Sequence, residues 1–145
     1  MPFRSQVGSL NSLYARYKHQ VEFFHIYISE VHPSLDWSLD GVDEIHIPQA
    51  ASMHDRTRAA RACAAHTEIK FSVLLDEMDN STSQAYEAMP DRLYLVGEDG
   101  RISYQSDRGP QGFDVDELTE ALESLPPTPT GIGNQSIGRS VDEEN

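Results

Sequence analysis

Val7, Leu10, Leu13, Tyr14 and Tyr17 recur at spacings of three and four, so residues 6–19 read as a helix with one apolar stripe. Residues 21–28 follow as a strand that is apolar almost throughout, the pattern of a strand covered on both sheet faces. Residues 29–53 form a long connection rich in Asp, His and Pro, with short extended pieces near 44–47; a connection that long in a compact domain usually carries function. Ser52 caps a second helix over residues 54–66, with Ala59, Ala60, Cys63 and Ala64 on its inner side. Residues 71–75 read as a short strand, and Asn80 and Ser81 begin a helical turn through Gln84, Ala85 and Tyr86. Residues 92–96 and 101–104 are two strands joined by Glu98-Asp99-Gly100, whose Asp-Gly pair suits a tight hairpin. Asp114-Val115-Asp116-Glu117 opens a last helix in the manner of a capping box, with Leu118, Ala121, Leu122 and Leu125 inward. From Pro126 the pattern lapses into polar residues without period, the signature of a disordered tail.

This order of elements resembles a thioredoxin fold without its first strand: an α/β domain over residues 1–125, with a mixed central sheet flanked by helices, and a tail over 126–145. In such folds a nucleophile follows the first strand, at the N-terminus of the first long helix. Here that helix begins almost at residue 1.

Charge narrows the partners. Eleven basic against 24 acidic residues give a formal net charge of -13, which repels nucleic-acid phosphates and anionic lipid. No apolar run approaches the ~20 residues of a membrane span, and the lone Cys63 cannot form an intrachain disulfide. These features suit a reducing, cytoplasmic compartment. The six histidines lack the i, i+4 spacing of a helical ligand pair, so no metal site is expected. His46 and His54 read as loop or cap residues, and Cys63, among alanines, as a small core residue.

The candidate chemistry sits where the apolar run of residues 23–28 ends. Glu30 and His32 lie just past the C-terminal end of that strand, where ligands collect in open α/β sheets. On the residues alone, the plainer reading is that both are polar groups where a strand meets a loop, and that Trp37 is core.

Three segments shift that balance: FFHIYISEVHPSLDW (23–37), DEMDNSTSQAYEAMPDRLYLVGEDGRISY (76–104) and GPQGFDVDELTEAL (109–122). Together they resemble the iodothyronine deiodinases and their bacterial relatives, from Pro2 to about Leu125. The resemblance implies a thioredoxin-like domain that removes iodine reductively from an iodinated phenol such as thyroxine. It implies no bound cofactor, a thiol reductant as cosubstrate, and a homodimer. It makes His32 the proton donor, with Glu30 orienting it or relaying a proton, and it places Trp37, Met89 and Pro90 at the substrate, with Met89-Pro90 as the cis-proline element. Asn80, Tyr86 and Arg92 also match family positions, Arg92 as a partner for an acid across the sheet.

The family nucleophile is a selenocysteine, or a cysteine, followed by Pro-x-Phe. Pro2-Phe3-Arg4-Ser5-Gln6 looks like the continuation of that motif, so the expectation is a nucleophile upstream of Met1 at a UGA codon read as a stop. Leu35-Asp36-Trp37 replaces the family's Asp-Gly-Trp, and Ala50 stands near the position of a second histidine of the animal enzymes. The rival functions are a peroxiredoxin-like peroxide or disulfide reductase and a catalytically inactive thioredoxin-fold binding module.

Without a first strand, the strand of residues 21–28 should be partly uncovered, and the 145-residue chain should self-associate. Light scattering coupled to size exclusion checks this; a monodisperse, cooperatively melting monomer contradicts it.

Overall fold

The computed structural model describes residues 2–30, 37–39, 42–45 and 49–126. The chain opens on α1 (Pro2–Tyr17), four residues earlier than the apolar stripe alone suggests. Proline is suited to a first helical turn, where its missing N–H is no loss. Phe3 then anchors that turn, its ring centroid 4.7 Å from that of His25 and 5.9 Å from that of Phe113. The stripe points inward as its spacing requires: Val7, Leu10, Leu13 and Tyr17 are all buried.

β1 (Phe24–Tyr27) pairs in parallel with β4 (Ser72–Leu75), in the register Phe24↔Ser72 to Tyr27↔Leu75. β2 (Trp37–Leu39) and β3 (Val42–Ile45) form an antiparallel pair inside the long connection; the extended piece near 44–47 was legible there, its partner strand was not. α2 (Met53–Thr67) lies between, its N-cap Ser52 accepting from the Asp55 N–H. α3 (Ser81–Ala85) leads to the antiparallel pair β5 (Tyr94–Val96) and β6 (Ile102–Gln105), turned by Gly100 at φ +77°. α4 (Val115–Glu123) closes the described chain. The residues assigned to a disordered tail lie outside the described residues, apart from Pro126.

The mixture of parallel and antiparallel pairs is α/β, but among the described residues the strands form three separate two-stranded ladders. β1 is also barer than a strand covered on both faces. His25 and Tyr27 turn toward α1, whereas Phe24 is 54% and Ile26 39% exposed, with Leu74 beside them at 45%. Side chains alternate along a strand, and no described helix covers that second face.

The core lies between α1, α4 and β5: Leu10, Leu13 and Tyr17 meet Leu95, Phe113, Val115, Leu118 and Leu122. Polar side chains of α1 tie it to its neighbours. Gln6 donates to the Phe113 carbonyl and accepts from the Val115 N–H, fixing the start of α4. Asn11 donates to the Glu68 carbonyl and accepts from the Lys70 N–H, fixing the turn between α2 and β4. Asp114 caps α4 through the Asp116 and Glu117 N–H groups. The capping box is not reciprocal, because the Glu117 carboxylate accepts from the Tyr104 hydroxyl instead.

Leu122→Ala should cost about 2–4 kcal/mol, since its side chain is 2% exposed in the core. Ile102→Ala, at a half-exposed site, should cost under about 1 kcal/mol. Urea unfolding of both variants checks the contrast; equal losses would contradict this placement of the core.

Candidate active site

The C-terminal end of β1 collects polar groups that the fold seals from water. The Asp76 N–H donates to the Tyr27 carbonyl, so the β1–β4 pairing continues past the strand end. Tyr27 is buried, and its hydroxyl has no hydrogen-bond partner; the same holds for Glu30 Oε1. Burial raises the Glu30 pKa to about 7, with the Arg56 charge opposing that rise. A carboxyl poised there holds a proton at neutral pH and can give it up. On β1, two residues before Tyr27, burial pushes the His25 pKa down to about 4, so this imidazole is a neutral ring packed on Phe3.

A buried arginine and a buried aspartate build the adjoining wall. Arg56, on α2 and 1% exposed, donates to the Asp76 and Glu77 carbonyls and to Asn80 Oδ1, at 3.0, 2.6 and 2.9 Å. Asp76, equally buried, accepts from the backbone N–H groups of Glu77, Thr82 and Ser83. Its burial works to raise its pKa, but these bonds outweigh burial and hold the carboxyl below its usual range. The pair therefore fixes the loop entering α3, where Asn80 adopts φ +59°.

That wall faces an open cleft of about 410 Å³, lined by Ser29, Asn80, Ser83, Gln84, Glu87, Met89 and Arg108. Arg108 donates to the Glu87 carboxylate at 2.8 Å, and Arg92 approaches the same carboxylate at 3.7 Å. Arg92 also donates to the Ser106 carbonyl. Met89–Pro90 is cis, and so is Gly109–Pro110. A Cβ at Gly109 would run into the Asp91 carboxylate, which would have to move aside.

The structure brings Glu30 and Met89 to one region, through Ser29 and through the Arg56–Asn80 link. Pro90 follows Met89 directly. His32 lies outside the described residues; Trp37 begins β2, and its side chain also lies outside them. Cys63 sits half-buried on α2. Burial raises its pKa, with Arg4 opposing and Glu30 adding to the rise. His54 is exposed at the start of α2.

Sequence reasoning missed Tyr27, Arg56, Asp76 and Arg108. For Arg56 a signal existed: it stands four residues before Ala60 and seven before Cys63, on the face assigned inward, where a charge demands buried partners.

The family model of the iodothyronine deiodinases matches residues 1–126. The thyroxine 5-deiodinase of Sus scrofa is 40% identical over 122 residues, 84% of this chain and 39% of that protein. The Homo sapiens thyroxine 5-deiodinase gives the same identity and coverage. The type I iodothyronine deiodinase of Xenopus laevis is 34% identical over 84% of this chain and 47% of its own length. The chain thus spans less than half the length of these relatives.

The two displaced pKa values oppose each other. Glu30, raised in the folded state, favours folding fully below about 4.5 and loses that contribution as pH rises through about 7. His25, lowered in the folded state, favours folding above about 6.5 and loses that contribution as pH falls through about 4. Between about pH 4.5 and 6.5 their slopes cancel. Glu30→Gln should therefore lose stability on acidification more steeply than the parent chain, and His25→Phe less steeply. Melting temperatures across that window check this; parallel curves for all three proteins contradict it.

Proposed function

We propose that this chain, which belongs to the iodothyronine deiodinase family, carries the proton-delivery side of a thiol-dependent reductive deiodination of an iodinated phenol ring. The observation that carries this reading is Glu30, a half-buried carboxyl whose pKa burial raises to about 7, just past the end of β1 and beside an open cleft.

The attacking group in this chemistry is a selenolate or thiolate. Cys63 is a poor substitute, since burial raises its pKa and depletes its thiolate. The first turn of α1 favours an anion near its N-terminus, because its N–H groups have no intrahelical partners. The anion takes iodine from the ring while a proton goes to the ring carbon. Ring–I, selenolate and H⁺ become ring–H and Se–I; two thiols then return the selenolate, releasing iodide, two protons and a disulfide. His32 delivers the proton, and Glu30 supplies or orients it. Met89 and Pro90 bound the substrate from the far side of the cleft, and Trp37 packs on its ring. The thiol reductant is a cosubstrate, and the chain works in the cytoplasm.

Iodide release from radioiodinated thyroxine with dithiothreitol tests this. His32→Ala should lower kcat by roughly 10²-fold or more. Glu30→Gln should abolish a fall in rate centred near pH 7. A His32→Ala enzyme within twofold of the parent would overturn the assignment.

A further inference from the structure

We propose that Arg56 is a positioning residue for this reaction: one buried guanidinium both biases the charge state of the Glu30 carboxyl and fixes the cleft wall formed by Asn80 and Ser83. Its catalytic consequence rests on the proposed function; the geometry does not. Arg56 comes from the inner face of α2 and reaches two places at once. Its Nη atoms grip the Asp76 and Glu77 carbonyls and the Asn80 side chain. Asn80 lines the cleft, as does Ser83, whose backbone N–H is held by Asp76. Glu30 also feels this guanidinium, whose charge favours its ionisation. The two groups are complementary: Arg56 Nε has no acceptor, Glu30 Oε1 has no donor, and both are sealed from solvent.

Among the described residues, the other titratable group coupled to Glu30 is Cys63, also on α2, which in turn feels Arg4 of α1. Arg56 is thus a cation that acts on Glu30 through its charge. A planar fork with several fixed donors does what a point charge cannot, so charge and grip can be separated by substitution.

Arg56→Gln removes the charge and Arg56→Lys keeps it, while both lose the fork. Two readouts need no turnover: the NMR titration midpoint of the Glu30 carboxyl, and hydrogen exchange at the Thr82 and Ser83 amides. In Arg56→Gln the midpoint should rise by about one pH unit; in Arg56→Lys it should stay close to the parent value. Exchange should quicken about tenfold in both. Asn80→Ala, which removes only a side-chain partner of the fork, should quicken exchange without moving the midpoint. In the deiodinating protein, Arg56→Gln should move the alkaline limb of the rate profile upward, and Arg56→Lys should raise KM with that limb in place. A merely structural role would lower the active fraction and move neither. An unmoved midpoint in folded Arg56→Gln, or unchanged exchange in Arg56→Lys, overturns the proposal. Should both Arg56 variants unfold, Asn80→Ala decides: faster exchange with the Glu30 midpoint in place supports it, and unchanged exchange overturns it. Failure of these readouts leaves deiodination standing, and failure of deiodination leaves them intact.

Discussion

The packing of α1 is the constraint on which the described structure depends. Its apolar stripe supplies the inner wall of the core, and α4 and β5 complete that core by lying against it. Two amide side chains on the same helix, Gln6 and Asn11, fasten the start of α4 and the turn into β4. Phe3 in its first turn packs on His25 of β1. The helix therefore packs against β1, the strand that leads to Glu30. The apolar stripe is thermodynamic in origin, since each buried side chain contributes through area removed from water. The two amides add direction: Gln6 satisfies part-buried backbone groups at the start of α4, and Asn11 ties down exposed ones in the turn before β4.

Against that frame the site uses buried charge sparingly. Arg56 and Asp76 do not form an ion pair with each other; each is satisfied mainly by backbone groups of one short loop. Such an arrangement fixes loop shape at the expense of desolvation, which the multiple hydrogen bonds offset. It also leaves the Arg56 charge free to act on Glu30. Burial against that charge leaves Glu30 a carboxyl poised near neutrality, the kind of group that acid–base chemistry needs, whereas burial holds His25 neutral as a ring against Phe3.

Much of the fold was legible in the sequence where a strong period or cap was present. The α1 stripe, Ser52 and Asp114 as caps, and the Asp-Gly hairpin turn all appear as the pattern requires. What escaped depends on tertiary contacts. The packing of Phe3, in the first turn of α1, on His25 and Phe113 is one such contact. β1 looked buried on both faces because its residues are apolar, yet Phe24 and Ile26 are exposed. Of the candidate site, Glu30 and Met89 were singled out by motif and position. Arg56 and Asp76 were not, because their partners are largely backbone atoms brought in from residues 20 or more away for Arg56, and up to seven away for Asp76.

The most direct measurement is chemical-shift mapping of the chain titrated with a small iodinated phenol. The account predicts that shifts concentrate at Ser29, Asn80, Ser83 and Met89, around the cleft beside Glu30. Shifts confined to the open face of Phe24, Ile26 and Leu74, or no saturable shifts at all, would contradict it.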